Sequence, residues 1–165
     1  MADLSKTKTM IMMVGSPGSG KSTFYNNYLK DFVRVSNDAC GGNSKKAFGL
    51  AEGACKDGLA LVIDNTNKDV EQRKQYLKLA ESSGYELIAF VFSVDKALAL
   101  WWDELRSKVG VRNHMSKKVG KIPVHTFFKY YVPPTHGEGF KEVLEVRIRV
   151  EMQSKAEEEF YNYYF

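Results

Sequence analysis

Cysteine is scarce in this chain, with two residues, Cys40 and Cys55, among 165. Two are too few for a disulfide framework or a zinc knuckle, so both read as ordinary reduced thiols of an intracellular protein. The three histidines, His114, His125 and His136, lack metal-ligand spacing and suit solvent-facing or capping positions. No apolar run approaches the roughly 20 residues of a membrane span. No signal-peptide apolar region precedes residue 9. Internal repeats, linkers and low-complexity segments are missing as well. These absences exclude a membrane protein, a disulfide-stapled secreted domain and a zinc module. They leave a single domain over residues 1–165, expected inside the cell, cytoplasmic or nuclear, with no membrane partner.

An apolar fraction of 44% and a charged fraction of 27% are those of a globular chain long enough to bury its own core. The net charge of +4 is unevenly spread. From Arg106 to Lys129 there are seven basic residues and no acidic one, whereas Glu138, Glu142, Glu145, Glu151, Glu157, Glu158 and Glu159 balance them later. A basic block is either a solvated face or a surface for phosphorylated ligands.

The most specific signal lies at residues 15–22, Gly15-Ser16-Pro17-Gly18-Ser19-Gly20-Lys21-Ser22, with Thr23 behind it. It is a complete G-x-x-x-x-G-K-S phosphate loop. An apolar run (residues 10–14) precedes it, and a helical pattern (Phe24, Tyr25, Tyr28, Leu29) follows. That strand–loop–helix context is what the motif requires. Glycines let successive N–H groups turn inward around an anion, and the helix N-terminus adds partial positive charge. Lys21 can reach the β/γ-phosphates, and the Ser22 hydroxyl can ligate Mg²⁺. The motif predicts binding of a nucleoside triphosphate.

Strand and helix patterns alternate along the chain. Strands are expected at 9–14, 32–35, 59–63, 85–92 and 143–150, the last at an edge. Helices are expected at 21–30, around Ala47, Leu50, Ala51 and Ala54, at 69–82 and 96–108, and from Pro123 through Tyr131. A charged helix with an aromatic end, Phe160 to Phe165, closes the pattern. The polar, basic stretch 110–122 suits a lid. This order indicates an α/β P-loop kinase fold: a central parallel sheet with right-handed crossovers, flanked by helices, and a small basic lid. Ligands then gather at the carboxyl ends of the strands.

Those ends carry two aspartates. The second strand runs into Ser36-Asn37-Asp38, and the third into Asp64-Asn65-Thr66-Asn67. Asp38 could accept the proton of a hydroxyl attacking the γ-phosphate, or cap the following helix or turn. Asp64 reads both as a Walker-B-type carboxylate, orienting Ser22 or a Mg²⁺-bound water, and as the start of an Asx turn. Trp101-Trp102, Phe127-Phe128 and Tyr130-Tyr131 suggest base stacking. Neighbouring helical residues point in different directions, however, so one of each pair should pack inward.

Four stretches make the whole chain resemble the kinase domain of the polynucleotide 5′-hydroxyl kinases. They are residues 14–24, Ser36-Asn37-Asp38, residues 62–67, and Ile122-Pro123-Val124 leading to Pro133-Pro134-Thr135 and Glu138-Gly139-Phe140. The resemblance implies transfer of the ATP γ-phosphate, with Mg²⁺, to the 5′-OH of a DNA or RNA end. It implies that Asp38 activates the hydroxyl, while Lys21 and a lid arginine neutralise phosphates. Arg112, followed by Asn113, is the best positional match for that arginine, ahead of Arg106 and Lys117. Asp64 and Ser22 would face the metal, and Arg73 and Asn67 the acceptor strand; an ordinary surface position is the other reading of Arg73. Where the family usually has Asn-Arg-Asp this chain has Asn37 for the arginine, which opens a small-metabolite kinase as an alternative. A non-catalytic nucleotide-binding module is a further one. No Asp-x-Asp-Gly phosphatase motif is present, as expected for a free-standing kinase or an excised domain.

Overall fold

The computed structural model describes Ser5, residues 7–108 and 119–147, Lys155 and Glu159, with side chains of 105–108 left aside. Five strands form one sheet: β1 (Thr9–Val14), β2 (Val33–Val35), β3 (Leu61–Asp64), β4 (Glu86–Phe92) and β5 (Glu142–Val146). Their spatial order is β2-β3-β1-β4-β5, and all four pairings are parallel. The helices between them are α1 (Lys21–Tyr28), α2 (Ser44–Lys56), α3 (Val70–Ser83), α4 (Lys96–Lys108) and α5 (Lys121–Tyr130), with a short 3₁₀ turn at His136–Glu138.

The central strand explains its own composition. β1 is buried on both faces, so it reads as an uninterrupted apolar run. Side chains alternate across it. Met10, Met12 and Val14 join Val35, Leu61, Ile63 and Ala89 against α2 and α3, through Ala47, Ala51, Tyr76 and Ala80. Ile11 and Met13 join Val62, Phe92, Leu29 and Phe32 on the opposite face, where Phe24 and Tyr25 of α1 pack. Phe24 meets Phe90 and Phe92 edge-on, with centroids 5.9 and 5.4 Å away. α1 is thereby fastened to the sheet directly beneath the phosphate loop. Asn43 caps α2 by accepting from the Lys46 amide, and Asp69 caps α3 by accepting from the Gln72 amide.

Several boundaries differ from expectation. β3 begins at Leu61: the Leu59 amide still bonds Ala54 O at the end of α2, and Ala60 meets the sheet through its carbonyl, which accepts from Val33 N of β2. β5 is an edge strand as expected, but ends at Val146, and 148–150 lie outside the described residues. α5 starts at Lys121, so Lys121 and Ile122 belong to a helix and not to the expected lid. Pro123 therefore occupies the third helical position, where the amide it lacks would have had no intrahelical partner. The rest of the expected lid through 118, with Arg112, Lys117 and His114, lies outside the described residues, as does the aromatic tail at 160–165. Cys40 and Cys55 are both free and buried. Among the described residues no helix is long and apolar enough to cross a membrane.

Candidate active site

Parallel strands bring the loops after β1, β2 and β3 to one end of the sheet, where they enclose a cleft of about 450 Å³. Residues 17–23 form one wall. Residues 36–39 form the other, and 64–66, Asn26, Arg34 and Val119 complete the lining. Asp38 and Lys21 thus face one space.

The phosphate loop is held in shape by its glycines. Gly18 has φ +84°, and a Cβ there would lie 2.8 Å from the Ala99 carbonyl oxygen of α4. A Cβ on Gly15 would meet Ser19 Oγ at 2.7 Å and Phe92 Cβ at 2.9 Å. Gly20, also at φ +84°, turns the chain into α1, whose first helical bond is Phe24 N to Gly20 O. The amides of residues 21–23 come before that bond, at the positive end of the helix. Buried Lys21 donates from Nζ to Gly15 O (2.7 Å) and Ser16 O (2.8 Å). The geometry is that of a phosphate cradle with its cation tucked inside.

Across the cleft, Asp38 is exposed, on the turn that closes through Gly41 N to Asp38 O and Gly42 N to Asn37 O. The cap of α2 is Asn43, so Asp38 does not cap that helix. The Asn37 amide donates to Asn65 Oδ1 at 2.9 Å, tying the β2 and β3 loops together. Asn37 Oδ1 is itself buried without a hydrogen-bond partner.

Asp64 is buried, and its Oδ2 accepts from Ser22 Oγ at 3.3 Å. It also accepts from Arg34 Nε at 2.9 Å and, more closely, from Arg34 Nη2, which in turn bonds Ser22 Oγ at 3.0 Å. Sequence reasoning passed over Arg34. Its register signal is legible only once the sheet is known: Arg34 pairs with Val62, and Asp64 is two residues further along β3, on the same face. The guanidinium rests 4.9 Å above the Tyr25 ring, which braces it from below. Burial, ahead of the opposing Arg34 charge, raises the Tyr25 hydroxyl pKa, and that hydroxyl donates to Phe32 O. A hydroxyl and a carboxylate oxygen 3.3 Å apart, already holding a cation, are a donor pair chemically suited to Mg²⁺.

Two expected acceptor residues are placed elsewhere. Arg73 is fully buried, neither at the surface nor in the cleft. Its Nε and Nη2 each donate to Glu138 at 2.8 Å, and Nη1 donates to Asn67 O (3.0 Å) and Val132 O (2.9 Å). With every nitrogen engaged, it clamps α3 to the segments on either side of Pro133-Pro134. Asn67 is also buried, with its Nδ2 donating to Met13 O at 2.7 Å. Its φ of 47° is a left-handed conformation that Asn tolerates. In place of the expected acceptor contact, both side chains are buried in hydrogen bonds that tie neighbouring segments together, and neither lines the cleft. The aromatic pairs behave as expected in that Trp101 and Phe127 pack inward, but none of the six lines the cleft.

Residues 10–121 match the family described as AAA domain. A putative bifunctional polynucleotide phosphatase/kinase of Acanthamoeba polyphaga mimivirus is 33% identical over 141 residues, 84% of this chain and 33% of that protein. The bifunctional polynucleotide phosphatase/kinase of Schizosaccharomyces pombe is 28% identical over 163 residues, 98% of this chain and 38% of that protein. The chain thus spans about a third of the length of these relatives. Among solved structures, Chaetomium thermophilum Kti12 in complex with ADP-AlF3 superposes with a TM-score of 0.65 at 16% identity, covering 94% of this chain and 97% of that one. The chain therefore belongs to the AAA domain family, its fold is that of the P-loop kinases, and two of its sequence relatives are named polynucleotide phosphatase/kinases, the family its motifs resemble.

Proposed function

We propose that this protein transfers the γ-phosphate of ATP to the 5′-hydroxyl of a nucleic-acid end. One observation carries the reading: exposed Asp38 and the Lys21 loop face each other across a single cleft. In that arrangement the loop amides and Lys21 bind the donor phosphates, and Asp38 orients the acceptor hydroxyl and takes its proton. Ser22 and Asp64 would hold Mg²⁺, which supplies charge neutralisation between the phosphates when bound. Arg112 is the proposed lid cation.

The names of the relatives favour a polynucleotide acceptor. The exterior of the site does so as well. Val119 lines the cleft immediately before α5, and α5 carries exposed Lys121, His125 and Lys129 at intervals of four residues, on one helical face. Such a stripe suits a phosphate backbone leaving the cleft. Asn37 supports a second reading, a small neutral alcohol as acceptor, because among the described lining residues only Lys21 and Arg34 are basic. Labelled ATP supplied with 5′-OH oligonucleotides of DNA and RNA, beside a panel of sugars and other metabolites, separates the two. Label on an oligonucleotide supports the main reading; label on a metabolite alone overturns it.

A further inference from the structure

Arg34 sits where the donor pair for a divalent ion converges. Three of its bonds go to the two oxygens in question, two to Asp64 Oδ2 and one to Ser22 Oγ. The pairing is geometrically prepared. β2 is short, its neighbours Val33 and Val35 are anchored in the core on the other face, and the guanidinium lies on the Tyr25 ring. Asp64 is almost wholly buried in this contact, whereas Arg34 keeps a route to solvent, with 31% of its side chain exposed. The carboxylate is fixed and the cation can leave.

We infer that Arg34 is a tethered internal cation that competes with the divalent metal for Ser22 and Asp64, so that metal enters only together with a nucleotide. The inference rests on the kinase reading in taking those two residues as the metal side of the site. The charge balance explains why metal alone binds poorly. Asp64 is neutralised by Arg34, and Lys21 balances Asp38 across the cleft, so the charged lining residues sum to zero and offer a free dication no net attraction. Among the described residues no three His, Cys, Asp or Glu side chains converge to compensate. Mg²⁺ demands six oxygen ligands and commonly takes several from substrate phosphates. A nucleotide supplies those oxygens and their negative charge, and displaces the guanidinium toward solvent over Tyr25. Arg34 is therefore a positioning residue: it keeps Asp64 paired until the complete metal–nucleotide complex arrives.

The test is Mn²⁺ titration of the full chain, with free Mn²⁺ followed by electron paramagnetic resonance, with and without ADP. A fixed opposite charge within about 4–6 Å is worth about one to three powers of ten to a carboxylate. Arg34→Gln should accordingly bind Mn²⁺ without nucleotide at least about tenfold more tightly than wild type. Arg34→Lys should stay near wild type, and the gain should vanish in Arg34→Gln/Asp64→Asn. A folded Arg34→Gln with unchanged Mn²⁺ affinity overturns the inference, as does a gain that survives in the double variant. Wild type alone gives a second check: it should take up Mn²⁺ tightly only with ADP, and tight uptake without nucleotide refutes the competition. A chain that binds ADP yet fails these tests loses the role of Arg34 alone; one that binds no ADP loses the kinase reading with it.

Discussion

Replacing Arg73 by methionine asks whether this arginine serves the fold or the acceptor. The side chain is wholly buried and engages the Glu138 carboxylate through two nitrogens, with Asn67 O and Val132 O on the third. Methionine fills comparable space but removes all four hydrogen bonds. It leaves a carboxylate that is only 11% exposed without its cation, and two carbonyls without donors. Breaking one side of such a buried pair costs about 3–5 kcal/mol. At about 2–4 °C per kcal/mol for a chain of this size, the melting temperature should fall by about 6–20 °C. Urea unfolding followed by circular dichroism measures the loss directly. Arg73→Met/Glu138→Met should recover a large part of it, because a well-packed apolar pair no longer buries an unpaired charge. A loss below about 1 kcal/mol, accompanied by a raised KM for the acceptor, would refute the clamp and restore the acceptor role.

Three other perturbations follow from the same geometry. Gly18→Ala forces a Cβ to 2.8 Å from Ala99 O at φ +84°; it should cost about 1–3 kcal/mol by thermal unfolding and weaken nucleotide binding as the loop shifts off α4. Lys21→Ala removes a charged donor from the phosphate cradle, so ADP affinity by calorimetry should fall about 10–100-fold, and unchanged affinity would contradict its role. Asp69 caps α3; burial opposes its ionisation, but bonds from Lys68 and the Gln72 amide, with the charges of Lys68 and Arg73, outweigh this and hold its carboxyl below the usual range. Its contribution is therefore complete above the unfolded value of about 3.9 and lost as pH falls through the lower folded value. Asp69→Ala should cost about 1 kcal/mol at neutral pH, with the two unfolding curves converging in strong acid.

What could be read from the sequence was local. The phosphate loop declares itself because glycine spacing, lysine and flanking periodicity all lie within residues 10–29, and the buried strands are visible as apolar runs. Leu59 shows the limit of that signal: it is as apolar as Leu61, yet its amide bonds back to Ala54 O of α2 and the strand starts two residues later. Arg34 was invisible because its meaning depends on a partner 30 residues away, brought near only by the β2–β3 register. The burial of Arg73 is hidden for a related reason. A motif places it after the third strand, but nothing local foretells that Glu138, 65 residues later, will take its guanidinium into the interior. Asn67 is likewise illegible locally, since a left-handed backbone conformation folds its side-chain amide onto Met13 O of β1.

In the proposed reaction Asp38 and the Lys21 loop act on one phosphoryl group. Single-turnover transfer of labelled γ-phosphate to a 5′-OH oligonucleotide, by wild type and Asp38→Asn with ADP affinity measured in the same preparations, tests that most directly. The expected result is a loss of about 10²–10⁴-fold in the transfer rate with nucleotide affinity unchanged. A loss under about tenfold would contradict it, since a group that orients and deprotonates the acceptor cannot be removed so cheaply.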